Sequence, residues 1–398
     1  MRLSGLVPKA PPARALDIQV GFRAAVAIVV PLIVLAVIGR LDWGAYAAFG
    51  AFTALYGRSE PYRLRLRSMS VAALGLVVSI VSGTLIAAFG APLWVTTIVL
   101  VVVTTGGTLA ASAFDLLPRG AIFYVFGLLV CAQIPTPVHE LGLRLSVALL
   151  TTAFALALGM SGWLVRRLTP DRLAGLHRPL ARVPRLSSVA RHGRTWLAVV
   201  QCGIGALVAG ALALALHTGH PYWAVVSAVV VIPSPRGAHT TRRAIERVIG
   251  TALGFGTAWL LLSPNPPTWV LILAIGVCQC VTELLVGWFY AGALLFITPL
   301  ALAVSELGQS TSVGLLLGDR LIETVLGAVI GLVLVLIGRT IVPDRVATAA
   351  PSGDPEGAVA GGGAIVGGAA SGDPGRASPR RMSGAAEAPD NDDEEEDT

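Results

Sequence analysis

The chain has 398 residues, 55% of them hydrophobic and only 13% charged, with a formal net charge of +6. A water-soluble domain carries nearly twice that share of charge because its surface faces water. The balance therefore excludes an ordinary soluble globular protein and calls for lipid as solvent.

In chain order, residues 1–17 form a basic cytoplasmic N-terminal segment, with Arg2, Lys9 and Arg14 and several prolines but no cleavage pattern after the first apolar run. Hydrophobic stretches then predict twelve membrane helices. The first six run roughly over 18–38, 43–57, 69–89, 92–112, 119–134 and 143–165. After a basic cytoplasmic linker at 166–195, the other six run over 196–216, 221–234, 244–262, 269–286, 288–304 and 318–341. Placing the N-terminus in the cytoplasm leaves only Arg40, Arg144 and Arg320 of the 29 Lys+Arg toward the outside, as the positive-inside rule asks. The expected setting is a multi-pass protein of the cytoplasmic (inner or plasma) membrane with both termini inside.

Residues 346–398 are a different material, Gly/Ala/Pro/Ser-rich and ending in "DNDDEEEDT". Such a segment buries too little to order itself and is expected to be a disordered acidic tail. It holds 11 of the 23 acidic residues, so residues 1–345 carry 26 Lys+Arg against 12 Asp+Glu.

The chain also repeats itself. "LDWGAYAAFGAFTALYGRSEPYRLRLRS" (41–68) aligns without gaps on "PYWAVVSAVVVIPSPRGAHTTRRAIERV" (221–248), putting Trp43 on Trp223, Gly57 on Gly237, Arg63 on Arg243 and Arg67 on Arg247. "LGLRL" (141–145) then aligns with "LGDRL" (317–321), which sets Arg144 opposite Arg320. An even number of spans per half gives both halves the same orientation, so the expected fold is all-α, with two parallel six-helix repeats at 18–165 and 196–345.

The second half, with "YWAVVSAVVV" followed by "RRAIERVIGTALG" and later "DRLIETVLGAVIGL", resembles the fusaric acid resistance (FUSC) family of integral membrane proteins. Relatives in that family include aromatic acid exporters and aluminium-activated malate transporters. In the first half the resemblance is weaker, and a linker of about 30 residues stands where many bacterial relatives insert a large cytoplasmic domain. The resemblance implies export or conductance of small organic anions.

The residues carry a transport reading of their own. The second span of each half is short, and paired short segments broken by Pro or Gly mark a transporter's binding region. Here Pro233 and Pro235 interrupt one copy, and Gly44, Gly50 and Gly57 loosen the other. Arg63 and Arg67, like Arg243 and Arg247, are spaced i,i+4 on one helix face, and guanidinium forks suit carboxylates. Contact with lipid headgroups is the competing role, and the favoured one for Arg65, Arg236 and Arg242. Arg144 and Arg320 each open the last span of a half on the side where cations are avoided. An arginine deep in a bilayer costs about 2.5–3.5 kcal/mol, so each should face a partner or an aqueous path. Arg23, inside the first span, has no local partner and earns the same expectation.

Carboxylates for proton coupling are Asp319, Glu323, Glu283 and Asp115, with an ion pair or an interfacial position as the plainer role. Trp43, Trp223, Tyr222, Trp94 and Trp269 fit an aromatic belt, while Trp43 and Trp223 are also candidates for stacking on substrate. Small-residue stripes at Gly250, Gly254 and Ala258, and at Gly327 and Gly331, suit close helix packing. Cys131, Cys202, Cys278 and Cys280 have neither disulfide nor zinc spacing.

No enzyme signature is present. The one lysine, Lys9, lies outside any phosphate-binding loop, and His139-Glu140, His217 and His220 make no metal-ligand set. No cofactor, metal or nucleic acid is called for, and the expected partners are membrane lipids and the anion, with a homo-oligomer left open. The expectation is a gradient- or proton-driven exporter of small, aromatic organic anions. A passive anion channel and a non-transporting scaffold are the alternatives.

Overall fold

A computed structural model describes residues 15–58, 60–168, 193–232, 240–262, 266–287, 289–305, 307 and 313–341. The linker at 169–192, the stretch 233–239 with Pro233, Pro235, Arg236 and Gly237, and the acidic tail lie outside the described residues, as do the side chains of Arg242, Arg243 and Asp319.

Among the described residues the chain is helical throughout. The α-helices are α1 (Ala15–Val37), α2 (Gly44–Ala51), α3 (Tyr62–Ala88), α4 (Leu93–Ala113), α5 (Ile122–Gln133) and α6 (Leu141–Leu168), followed by α7 (Gly193–Ala215), α8 (Tyr222–Val231), α9 (Thr240–Leu262), α10 (Thr268–Leu285), α11 (Tyr290–Ser305) and α12 (Val313–Ile341). Single 3-10 turns precede α2 and α6 at Leu41–Trp43 and Val138–Glu140, and another follows α2 at Phe52–Leu55. Helices α3, α4 and α10 all start directly after a proline in extended conformation, at Pro61, Pro92 and Pro267. Proline fixes φ and lacks the N–H that a first turn would leave unpaired anyway.

Eight of these helices are long and apolar enough to cross a membrane. Their outer faces are greasy: Leu150 is 71% exposed, and Trp94, Trp269 and Leu260 are similarly open. Surfaces of that kind are stable against lipid and aggregate in water. The chain is a multi-pass membrane protein.

The short helices behave differently. Helix α2 has eight residues and α8 ten, about 12 and 15 Å of α-helix, and the flanking 3-10 turns extend the first run over Leu41–Leu55. Every residue of both is buried. An all-round apolar helix such as "YWAVVSAVVV" has no face for a headgroup or water and belongs in the interior. The expected spans 43–57 and 221–234 thus contain short α-helices buried within the bundle.

Contacts among α1–α6 correspond to contacts among α7–α12. Helix α2 lies against α1 and α6 as α8 lies against α7 and α12, while α3 contacts α5 and α6 as α9 contacts α11 and α12. Between the halves, α1 packs on α10 and α7 on α4, and α5 reaches α8 as α11 reaches α2. Glycine sets the tightest contacts. A Cβ on Gly83 of α3 would collide with the Leu128 carbonyl of α5, and one on Gly327 of α12 with the Ala224 carbonyl of α8. The small-residue stripes are used for the same purpose: Gly254 faces Thr298 and the Leu294 carbonyl of α11, and Gly331 faces the Ala228 carbonyl.

Candidate functional site

An aromatic run joins the two short helices. Phe52 and Phe49 meet edge to face at 5.5 Å, Phe49 meets Phe126 of α5 at 5.0 Å, and Phe126 meets Trp223 of α8 at 4.9 Å. At the α8 end the Arg320 guanidinium lies 3.5 Å from the centre of the Trp223 ring. Arg320 is 2% exposed and Trp223 also 2%. Such a cation over an indole face is stabilised by the ring quadrupole, most strongly away from water.

The stacking leaves two of the guanidinium nitrogens unsatisfied. Nε and Nη1 of Arg320 are buried and make no hydrogen bond within the protein. Glu323, one turn along α12 and fully buried, accepts the backbone N–H of His220 at 3.0 Å. Arg247 of α9, 4% exposed, approaches α8 from another side: Nη2 donates to the Ser227 hydroxyl at 3.5 Å, and Nη1 to the Tyr290 hydroxyl of α11 at 3.4 Å. Its Nε is also buried without a partner. Ser227 is one turn from Trp223 on α8, and Arg247 and Arg320 lie within electrostatic reach of each other. Two like charges have been brought to one short helix, with spare donors on both. The described charged groups there are two guanidiniums and one carboxylate, a surplus that suits an anion.

Arg144, which aligns with Arg320 in the sequence, is closed off. Arg144, 6% exposed, donates through Nε and Nη2 to one Glu140 oxygen at 3.0 and 2.8 Å. Its Nη1 donates to the Pro135 carbonyl at 2.9 Å, the Thr136 hydroxyl at 3.0 Å and the Tyr46 hydroxyl at 3.3 Å. Arg40 binds the other Glu140 oxygen at 2.5 Å and caps the Trp43 ring at 3.9 Å. Arg40 lies between spans, and its hydrogen bond to Glu140 raises its pKa above the ordinary arginine value. Here a carboxylate four residues before the arginine neutralises it.

The remaining candidates divide. Arg63 and Arg67 on α3 are exposed, with Arg67 lying 4.9 Å from the Phe114 ring, so the sequence match of Arg67 to Arg247 does not carry over into burial. Arg243 and Asp319 belong to α9 and α12, with side chains outside the described residues. Trp43, Trp223 and Tyr222 are buried, at 7%, 2% and 4% exposure, and form no surface belt, whereas Trp94 and Trp269 keep that position. Asp115 is partly buried in the turn after α4, at a positive φ of 50°.

Glu283 of α10 lies in a separate cluster, 6% exposed and paired with Arg58 at 3.2 Å. No local spacing joins these two, which stand 225 positions apart. Glu60, also unremarked in the sequence, sits just before α3 with Oε2 buried and unpartnered, and burial raises its carboxyl pKa. No group of three or more His, Cys, Asp or Glu with metal-holding geometry occurs among the described residues.

Comparison with known proteins bears on the same half. Residues 206–334 match the family model described as fusaric acid resistance protein-like. An uncharacterized membrane protein of Bacillus subtilis (strain 168), YvaC, is 27% identical over 141 residues, covering 35% of this chain and 22% of that protein. The chain thus matches less than a quarter of the length of that relative. No solved structure matches.

Proposed function

Starting from residues 206–334 as a fusaric acid resistance protein-like membrane segment, we propose that the chain is a transporter of small organic anions whose binding site is built on α8. One observation carries this reading: Arg320 is stacked on Trp223 with two buried nitrogens unspent, and Arg247 has another a turn away. A carboxylate would accept from Nε or Nη1 of Arg320, and an aromatic substrate would find Trp223, Tyr222 and Phe126 beside it. Burying a charged donor without a partner is costly, and in a membrane interior such groups mark substrate paths.

In this proposal the chain is a duplicated six-helix unit, both copies upright, with both termini cytoplasmic. The parallel packing of α1–α6 and α7–α12 and the reciprocal contacts of α1 with α10 and of α7 with α4 support the duplication. The halves divide the work. The second keeps its guanidinium available, and the first holds Arg144 in a closed network that stiffens α2 against α6. Glu323, three residues from Arg320 and fully buried, is the proposed proton carrier, so export is coupled to a proton gradient.

Proteoliposomes loaded with radiolabelled benzoate test this. The reading expects an imposed pH gradient at zero voltage to drive benzoate uphill, with Glu323→Gln abolishing that coupling. Flux that follows voltage alone would make the chain a passive pathway, and absence of flux for aromatic and aliphatic acids alike would remove transport altogether.

A further inference from the structure

Apart from α8, a second buried guanidinium has spare donors. Arg23 lies inside α1, 8% exposed, with Nε and Nη2 buried and without hydrogen-bond partners. Helix α1 packs along α10, which brings Arg23 within electrostatic reach of Glu283, Arg58, Arg65 and Tyr62. The other cations are already engaged. Arg58, just past the turn at Gly57, holds Glu283 Oε2 at 3.2 Å, and Arg65 donates to the carbonyls of Gly57 at 3.0 Å and Gly159 at 3.4 Å. Glu283 Oε1 receives Gln279 Nε2 at 3.5 Å.

Among the described groups within reach of Arg23 the one carboxylate is Glu283, which is held by Arg58, while Arg65 also lies within electrostatic reach of Glu60. Arg23 is left with a charge and two donors facing the seam between the halves. A purely structural arginine here would be expected to spend its donors on backbone carbonyls, as Arg65 does, because an unspent charged donor in the interior costs several kcal/mol.

We propose that Arg23 is a second carboxylate-binding station at the α1–α10 seam, separate from the site on α8, with Glu283 as its resident counter-charge. A small monocarboxylate would occupy the Nε–Nη2 edge of Arg23 in the bidentate manner that guanidinium favours. Glu283, drawn toward Arg58, leaves that edge open while limiting the net positive charge of the seam. This rests on the reading of the chain as an anion transporter, in which two stations let one anion displace another along a path.

The test is binding stoichiometry of benzoate on full-length protein in nanodiscs, by equilibrium titration. Wild type should bind two benzoates per chain, Arg320→Gln one, Arg23→Gln one, and the double variant none. Glu283→Gln removes the resident negative charge and should tighten the Arg23 station by about tenfold, equivalent to about 1.4 kcal/mol. Arg23→Lys, which keeps the charge and loses the fork, should fold normally and bind the second benzoate more weakly than wild type. Two benzoates on Arg23→Gln, or no tightening in Glu283→Gln, would overturn the station at Arg23 and leave the α8 site standing. Two benzoates on Arg320→Gln would instead overturn the α8 site.

Discussion

The Arg320 guanidinium lies 3.5 Å from the centre of the Trp223 ring, while its counterpart Arg144 is held by Glu140 at 2.8 and 3.0 Å. Two arginines that align in the sequence thus have opposite conditions, one stacked and under-satisfied, the other fully hydrogen-bonded. The difference traces to where the acid falls in the sequence. Glu140 stands four residues before Arg144 and points back to it, whereas Glu323 stands three residues after Arg320 and accepts a backbone N–H from His220.

That contrast predicts separable phenotypes. Arg320→Gln should lower benzoate affinity by about 10- to 100-fold, the loss of one or two charge-assisted hydrogen bonds, with Tm unchanged or raised. Arg144→Gln should cost on the order of 2–3 kcal/mol of stability by uncoupling Glu140 from α6. Thermal unfolding in nanodiscs beside benzoate titration reads both, and equal effects of the two substitutions on binding would contradict the division.

Arg67 and Arg247 align in sequence and part company in space, one exposed and one 4% exposed against Ser227. Arg247→Gln is expected to reduce benzoate flux at least tenfold at normal expression, and Arg67→Gln to leave it within about twofold, as a surface charge does. Proteoliposome flux distinguishes them.

Trp223 holds Arg320 by its ring face and has no hydrogen-bond partner for its own Nε1. Trp223→Phe keeps a weaker face and should cost a few-fold in affinity, and Trp223→Leu about tenfold, in line with a buried cation–π contact of about 2 kcal/mol. The order Trp, Phe, Leu in dissociation constants is the observable.

Gly327 lets α12 reach the α8 backbone, and a side chain there meets the Ala224 carbonyl. Gly327→Val should destabilise by about 1–3 kcal/mol and weaken benzoate binding by moving Arg320 off Trp223. A variant with lowered Tm and wild-type affinity would show that the α8–α12 spacing does not set the site.

Glu60, outside the spans, has its pKa raised by burial. A raised folded-state pKa means that folding favours the protonated acid. Its stabilising contribution is present below the unfolded value of 4.5 and is lost as pH rises through the folded value. Glu60→Gln should therefore raise Tm at pH 7.5 and lose that advantage near pH 4, measured by thermal unfolding at the two pH values.

Much of the helical framework was legible in the sequence. Apolar runs separated by Pro, Gly and Arg located the helices, and the anomalous height of Arg144 and Arg320 singled them out. The second span of each half reads as short in the sequence, and the α-helices found there have eight and ten residues. What could not be read was which way the side chains face. Trp43 and Trp223 sit at span ends, as belt residues do, yet both are buried, because Trp43 leads directly into α2 and Trp223 lies on α8, and both helices are buried on every side. An ungapped alignment equates Arg67 with Arg247 although their helices turn them to different surroundings. Pairs such as Arg40 with Glu140 and Arg58 with Glu283 arise from packing between distant helices, and no local spacing encodes them.

The proposed site on α8 is tested most directly by locating an anion in it. Crystals of the wild-type protein grown in lipid and soaked with 4-bromobenzoate would reveal the bromine by anomalous scattering. A carboxylate is expected within hydrogen-bond distance of Arg320 Nε or Nη1, with its ring against Trp223, and should be lost in Arg320→Gln. A bromine peak that avoids α8, or one that persists unchanged in Arg320→Gln, would contradict it.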